Sequence, residues 1–173
     1  ASDNSGLRVT AVTDEVEPGT YVVVVSSLAT SGSKTSSLVA APTIASSADT
    51  FSITVDGSTS GTIEIAAGAK ASLAALASEL QTQINGDTTL RNKGKSVTVT
   101  VVAGAIEIRS ASVGSTSTIR LQDAEAGTVT ALGFDTVQSS NGTNLSATIN
   151  GVAGTASGNV LSGATSSDAE GLS

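Results

Sequence analysis

The sequence predicts a mostly β, α+β protein built from two β-rich domains, one inserted in the other, with one amphipathic helix at about residues 72–85. Three observations support this prediction. The 173 residues are enough for one or two domains. Short runs that alternate apolar and polar residues recur between turn dipeptides, as in antiparallel strands. A single segment instead has the 3.6-residue period of a helix.

The composition limits both the core and the chemistry. Hydrophobic residues make up 39% of the chain, yet there are only two Phe, one Tyr and no Trp, Met or Cys, so Ala, Val, Ile and Leu must form the core. The absence of His and Cys removes the commonest general base, the commonest metal ligands and any disulfide. We therefore expect no enzyme, no catalytic residue, no cofactor and no metal.

The charge distribution limits the partners. Charged residues are 13% of the chain, against about 25% in an ordinary domain, and the net charge is −7. An acidic chain opposes binding to nucleic-acid phosphates. No apolar run approaches the roughly 20 residues that cross a bilayer. We expect neither nucleic acid nor a membrane as a partner.

The N-terminal part of the chain is predicted to form a hairpin. Residues 7–13 alternate in polarity, Pro18-Gly19 is a turn dipeptide, and the run 21–25 contains four consecutive valines. Such a β-branched run predicts a strand buried on both faces. Residues 26–47 are rich in Ser, Thr, Ala and Gly without a clear period, which predicts a long, partly extended connection.

The centre of the chain has the clearest pattern. Alternating residues on both sides of Asp56-Gly57 predict a hairpin across residues 51–65. Ser72 is a candidate N-cap for the helix, and Asn85-Gly86 is expected to end it in the left-handed conformation. One face of this helix is predicted to pack on the adjacent sheet, through Leu73, Leu76, Ala77, Leu80 and Ile84.

Further elements are predicted after the helix. They are a polar loop with Asp87, Arg91, Lys93 and Lys95, a hairpin of residues 96–102 and 105–110 around Ala103-Gly104, a short strand at 118–121, and a helical turn at 129–134 closed by Gly133.

The end of the chain weakly repeats the central hairpin. The segment Ala147-Thr-Ile-Asn-Gly151 is similar to the strand and turn at residues 52–57, but the copy stops before a helix or a second hairpin. We expect the chain to be a piece of a longer polypeptide. The predicted division is an outer, discontinuous β-rich domain at 1–45 and 142–173, and an inserted α+β domain at 50–137.

Two acidic clusters are candidates for acid-base or calcium chemistry. The first contains Asp14, Glu15 and Glu17, and the second contains Asp123 and Glu125. No aromatic residue flanks either cluster to stack on a sugar ring, and the spacing of a calcium loop is missing. We interpret both clusters as solvated turns.

Three other motifs are weak. The run Lys93-Gly94-Lys95-Ser96 resembles the end of a phosphate-binding loop, but Thr89 stands where that loop needs its first Gly. Without His, a Ser nucleophile would need a buried Lys, and no Ser is singled out. Asn141 and Asn144 match the N-glycosylation pattern, which arises often by chance in a chain this rich in Ser and Thr.

The order of these segments is similar to the flagellar filament cap protein family, the FliD family. The Asp56-Gly57 hairpin, the helix ending in Ile84-Asn85, the hairpin to Ile108 and the closure at 131–134 resemble the flagellin hook IN motif.

The segments on either side resemble the rest of that family's head region. They are Val9–Val12, Pro18–Val25, Leu28-Ala29, Ala147–Val152, Asn159-Val160 and Glu170–Leu172.

The resemblance implies a secreted structural protein of the bacterial flagellum, the head region of the filament cap that promotes flagellin assembly at the filament tip. The implied partners are copies of itself in a cap ring and flagellin, with host mucin or glycans left open. The interface residues are unknown, and we expect no long aliphatic patch outside the core. The alternatives are an extracellular adhesin or glycan-binding module, or a flagellin surface-domain insertion. Glycan binding usually needs aromatic platforms, and Tyr21, Phe51 and Phe134 all lie in apolar patterns that indicate burial.

Overall fold

The computed structural model describes residues 6–38, 40, 42–44, 50–136 and 139–173, apart from the side chain of Ile44. The predicted domain limits at Ala45 and Val137 lie outside the described residues. The strands are β1 (Val23–Ser27), β2 (Ser33–Thr35), β3 (Thr43–Ile44), β4 (Thr50–Val55), β5 (Ser58–Thr59), β6 (Ile63–Glu64), β7 (Gly68–Ala69), β8 (Val97–Val102), β9 (Ala105–Ser110), β10 (Thr118–Asp123), β11 (Ser140–Asn141), β12 (Ser146–Ile149), β13 (Val152–Ala153), β14 (Thr155–Ser157) and β15 (Val160–Ser162). The helices are α1 (Leu73–Gly86), α2 (Thr88–Asn92) and α3 (Thr128–Ala131). The prediction of a mostly β, α+β fold is confirmed.

The strands form small antiparallel sheets. Their orders are β1-β12-β13, β11-β10-β4-β5 with β6 also on β4, β2-β9-β8, β14-β15 and β3-β7. Helix α1 packs against β8 and β9. The described part of the chain contains no helix with the length and apolar character that a bilayer crossing requires.

The central hairpin forms as predicted. Val55 pairs with Ser58, and the two turn residues Asp56 and Gly57 have φ angles of 48° and 77°. Both angles are positive, as a two-residue type I′ turn requires, and Gly and Asp tolerate them best. The predicted hairpin of β8 and β9 is closed in the same way by Ala103 and Gly104.

Helix α1 also confirms its prediction. The Ser72 hydroxyl accepts a hydrogen bond from the backbone N–H of Ala75 at 3.0 Å, which caps the first turn. The predicted apolar face lies in the core. Leu73 is partly buried, and the other four residues are buried, namely Leu76, Ala77, Leu80 and Ile84.

The end of α1 differs from the prediction. Gly86 is helical rather than left-handed, and the helix ends at Asp87, whose φ and ψ are −60° and 128°. The Asp87 carboxylate accepts a hydrogen bond from the N–H of Leu90 at 2.9 Å and so starts α2 inside the predicted polar loop. One acidic residue therefore serves both helices, which removes the need for a glycine cap.

Asn85 has a different role from the predicted cap. Its side-chain amide donates to the carbonyl of Val97, and its side-chain oxygen accepts from the N–H of Val97, both at 2.9 Å. The pair ties the last turn of α1 to the first residue of β8. Ile84 enters the core from the same turn.

The predicted N-terminal hairpin is wrong. Residues 7–13 form an isolated bridge between Val12 and Leu172, and the N–H of Thr10 donates to the carbonyl of Ser173 at 2.7 Å. Strand β1 pairs with β12 instead, with Val23 opposite Ile149. Seven residues separate the two N-terminal segments, more than the two to five that usually close a hairpin.

The connection at 26–47 is more ordered than predicted. Strand β2 pairs with β9 along Ser33–Thr35, and the buried Ser36 hydroxyl accepts a hydrogen bond from the N–H of Ile106 at 3.1 Å. Strand β3 pairs with β7. Residues before position 45 therefore contact the segment predicted as the inserted domain, and the division into two domains stays a prediction.

The main core lies in the middle of the chain. Every buried member of the main apolar cluster falls between Phe51 and Phe134, and α3, with Gly133 at φ 74°, closes it as the sequence predicts. Among the described residues outside this cluster, the buried apolar side chains are Ala147, Ile149 and Ala169. The β1-β12-β13 sheet therefore has little apolar burial of its own.

The chain crosses itself closely between these regions. The N–H of Thr30 donates to the carbonyl of Thr143 at 2.9 Å, and the N–H of Gly142 donates to the carbonyl of Ser117 at 2.8 Å. A Cβ added to Gly142 would overlap the carbonyl oxygen of Thr30. Glycine is needed here because two backbones pass with no room for a side chain.

We expect Leu76→Ala to lower the free energy of unfolding by about 2–5 kcal/mol, because Leu76 is fully buried and its truncation leaves a cavity in the core. Gln83→Ala on the exposed face of α1 is the control and should stay within about 0.5 kcal/mol of the parent. Urea unfolding measures both. Equal stability of the two variants would contradict the assigned core face.

We expect Gly142→Ala to lower the free energy of unfolding by about 1–3 kcal/mol, because the added methyl group forces the crossing backbones apart. Gly19→Ala makes the same chemical change where nothing lies within 4 Å of the added Cβ. The comparison of their urea midpoints isolates the crowding. A Gly142→Ala variant as stable as Gly19→Ala would show that the crossing is loose.

Candidate interaction surface

The most prominent exposed apolar feature of the described residues lies on β1 and the residues on either side of it. Val22, Val24, Val25 and Leu28, which we call the β1 edge, have exposed fractions of 60%, 56%, 44% and 76%. Edge strands usually present Lys or Pro residues that block further pairing, and the β1 edge contains neither, although its register shifts between Val25 and Ser27. The expectation of no aliphatic patch outside the core is therefore wrong, and so is the prediction that residues 21–25 are buried on both faces.

The register of the sheet explains this exposure. Val23 lies opposite the buried Ile149, and Val24 lies opposite Thr148 on the other face. Side chains alternate between faces along a strand, so Val22 shares the outer face with Val24. The structure covers only one face of the valine run, and the sequence pattern contains no information on how many layers cover a strand.

The same region is uncharged. No Asp, Glu, Lys or Arg occurs at residues 18–33 or 136–167, although the chain as a whole has a net charge of −7. These two stretches contain the whole β1-β12-β13 sheet and the β14-β15 hairpin. The charges lie on the central segment and near the chain ends. The residues of the β1 edge are thus neutral, and the carboxylates of Glu17 and Asp168 lie beside Tyr21 at its N-terminal end.

The two acidic clusters predicted as solvated turns have different surroundings in the structure. Asp14 and Glu15 are exposed, and Glu15 lies beside the hydroxyl of Thr13. Asp123 accepts a hydrogen bond from the N–H of Val129 at 2.6 Å and so holds the start of α3. Within the described ranges, no group of three acidic residues is placed to hold a metal ion.

The lysine-rich segment is a structural turn. Gly94, with φ 65°, lies between α2 and β8, and the ammonium of Lys95 is 3.7 Å from the carboxylate of Asp56. Asp56 also accepts hydrogen bonds from the hydroxyl of Ser110 at 2.9 Å and the N–H of Thr118 at 3.0 Å. Sequence analysis found only the turn-forming role of Asp56, because these partners are 54 and 62 residues away.

The two asparagines of the glycosylation pattern differ in accessibility. Asn141 is exposed on β11. The side-chain oxygen of Asn144 accepts from the N–H groups of Ser115 and Gly158, at 2.8 and 3.0 Å, and its amide donates to the carbonyl of Ala156 at 2.9 Å. Asn144 therefore joins the β14-β15 hairpin to a central loop, and its amide is occupied.

An apolar groove of about 270 Å³ lies between the N-terminal segment and the C-terminal residues. Leu7, Val9, Val23, Leu161 and Leu172 are among the residues that line it. Small-molecule sites combine such an apolar lining with a few convergent polar groups. Arg8 is the one charged side chain among the described residues that line this groove, and we assign it no ligand.

The aromatic residues offer little for stacking. Phe51 and Phe134 are buried. The Tyr21 ring is half-buried, and its hydroxyl lies at hydrogen-bond distance from the carbonyls of Glu17 and Asp168. Its single proton is donated to one of them or shared. Partial burial raises the pKa of Tyr21, and the Asp168 and Glu17 carboxylates raise it further.

We expect alkaline pH to weaken the contact between Tyr21 and the C-terminal segment. The folded state favours the neutral hydroxyl, so this contribution is complete below the unfolded-state pKa of about 10 and is lost as pH rises through the higher folded-state pKa. Tyr21 is the only tyrosine, so the ultraviolet absorbance of tyrosinate reports it alone. The ionisation midpoint should lie above that of the urea-unfolded chain. Coincident midpoints would contradict the bonded hydroxyl.

Comparisons with known proteins find matches among solved structures but not among family models or curated sequences. No protein-family model matches the chain. No curated protein matches it either.

Several solved structures match almost the whole chain. The D2-D3 domains of the flagellar cap protein FliD from Serratia marcescens align with a TM-score of 0.55 at 18% identity, covering 95% of this chain and 89% of that chain. The FliD D2-D3 domains from Escherichia coli align with a TM-score of 0.51 at 22% identity, covering 98% and 87%. FliD (HAP2) from Pseudomonas aeruginosa aligns with a TM-score of 0.52 at 20% identity, covering 95% and 76%. The chain therefore has the fold of the D2-D3 domains of flagellar cap proteins.

Proposed function

We propose that this chain is the head region of a flagellar filament cap, an extracellular structural protein that promotes flagellin assembly at the filament tip. The observation that carries the proposal is the extent of the fold match. A second Serratia marcescens D2-D3 structure aligns over 95% of this chain and 96% of its own. A shared fold alone leaves function open, and the matching order of the sequence segments adds support.

A structural role also suits the side chains. Asp56, Asp123 and Asn144 each accept a backbone hydrogen bond that holds a turn or joins two segments. Such contacts fix the shape of the head rather than activate a substrate. We include the absence of enzymatic activity in the proposal.

The proposed partners are further copies of the chain in a cap ring, and flagellin. The neutral β1 edge is suited to protein contact because no charged group has to be desolvated there. The acidic remainder keeps separate heads soluble and apart.

Two alternatives remain as outcomes of the test. A flagellin surface domain would lie along the whole filament. An adhesin or glycan-binding module would lie on the cell or a surface appendage, and it would have to bind without an exposed Phe51 or Phe134.

Immunogold electron microscopy of the parent bacterium distinguishes these functions. We expect antibodies against the 173-residue chain to label only the distal tips of flagella, because a cap occupies one end of the filament. Cells that lack the gene are the control for specificity. Label along the filament would indicate a flagellin insertion, label on the cell body would indicate an adhesin, and either result would contradict the proposal.

A deletion tests the assembly role separately. We expect removal of residues 6–173 from the chromosomal gene to leave unpolymerised flagellin in the medium and few or short filaments. Quantitative immunoblots of the medium and filament counts measure the change, and reintroduction of the complete gene is the control. Normal filaments in the deletion strain would contradict a role of this region in assembly.

A further inference from the structure

We propose that two copies of this chain pair through the free edge of β1, which joins their β1-β12-β13 sheets across a two-fold axis. A two-fold contact uses the same surface on both copies and closes at two. It therefore differs from the contacts between two different surfaces that build a ring. The inference does not depend on the proposed cap function.

The backbone of β1 has open hydrogen-bonding groups. The carbonyl of Val22 accepts from the N–H of Asn150, and the N–H of Val22 donates to the Asn150 side-chain oxygen, both at 2.8 Å. Hydrogen-bonded positions alternate along an antiparallel strand, so Val24 also faces β12, while the N–H and C=O groups of Val23 and Val25 point away. β1 is the last strand of its sheet, and these outward groups have no partner among the described residues.

The side chains favour another strand as the occupant. Val22 and Val24 lie on the same face and are 60% and 56% exposed. Cross-strand pairs of β-branched residues are favourable in antiparallel sheets. Residues 22–28 contain no Lys or Pro, the residues with which natural edge strands block such pairing.

A second copy fits this edge by symmetry. With Val24 opposite the partner's Val24, Val23 faces the partner's Val25, and Val25 faces the partner's Val23. The outward groups of these residues then form four backbone hydrogen bonds. The two valines at the centre become a close pair on the exposed face.

The charge distribution selects this face over the others. Residues 18–33 and 136–167 are uncharged, so pairing of β1 brings no charged residues of these stretches together, and the carboxylates of Glu17 and Asp168 lie beside Tyr21, outside the paired residues. Contacts through the acidic remainder are repulsive. A charged ligand would lose hydration at this edge and find no counter-charge. A second copy of the chain is therefore the occupant that the surface fits best.

The same geometry limits the strength of the contact. The register of β1 shifts between Val25 and Ser27, and a bulge of this kind bends the strand and ends regular pairing. The paired stretch is thus about four residues long, and we expect a weak dimer with a dissociation constant on the order of tens of micromolar. Added salt should strengthen it by screening the net charge of −7.

Sedimentation velocity of the 173-residue chain tests the proposal, with two lysine variants. Val24→Lys places two ammonium groups opposite each other at the two-fold axis, and we expect it to raise the dissociation constant at least about tenfold. Val102→Lys makes the same change in charge at the tip of the β8-β9 hairpin, where Val102 is 50% exposed, and should leave the dimer intact. Equal thermal midpoints would show that both variants fold.

Amide hydrogen exchange of the wild-type chain locates the contact. Between dilute and near-millimolar protein, the protection of the Val23 and Val25 amides should rise, while that of Val24, already bonded within the sheet, should not. A chain that stays monomeric up to about 1 mM, a dimer that only Val102→Lys disrupts, or a dimer without added protection at Val23 and Val25 would each overturn the proposal.

Discussion

The packing of the apolar face of α1 against the sheets is the contact on which the rest of the structure depends. Leu76, Leu80 and Ile84 are fully buried, and α1 packs against β8 and β9, whose buried apolar residues are aliphatic. Two phenylalanines are the only large aromatic residues of this core, so its stability comes from close packing of many small groups. Strands that contribute side chains to this cluster are stabilised by apolar burial. Strands outside it, such as β1, β12 and β13, are stabilised mainly by backbone pairing.

Polar contacts then fix how the small sheets are placed around the core. The carboxylate of Asp56, in the turn after β4, binds Ser110 at the end of β9 and Thr118 at the start of β10. Asn85 ties α1 to β8, and Asn144 ties the β14-β15 hairpin to a central loop. Each uses a short polar side chain to satisfy backbone groups where strands end. A core poor in aromatic residues thus relies on specific hydrogen bonds for its arrangement.

Local patterns were predictable, and long-range pairings were not. The turns at Asp56-Gly57 and Ala103-Gly104 and the helix after Ser72 follow from residue types within a few positions of one another. The pairing of β1 with β12 and of β2 with β9 depends on contacts more than 70 residues apart, which no local period records. The role of Asp87 as the N-cap of α2 was not predicted, because α2 is only five residues long and has no apolar period of its own.

The candidate surface was partly visible in the sequence. The sequence itself shows that residues 18–33 and 136–167 carry no charge. Only the structure shows that strands from both stretches form one sheet and so one uncharged surface. The valine run at 22–25 is compatible with burial on two faces, on one face or at an edge, and only the number of covering layers decides among them. Strands outside the core cluster lack such layers, and that leaves the valines exposed.

Native-state hydrogen exchange at low protein concentration and increasing denaturant tests most directly the claim that one aliphatic core supports the fold. The account predicts that amides of α1, β4, β8, β9 and β10 exchange only through global unfolding. It predicts that amides of β12 and β13, which have little apolar burial behind them, exchange through a smaller opening at lower free energy. Protection of β12 and β13 equal to that of α1 would contradict the claim, because it would show that their sheet unfolds only together with the central core.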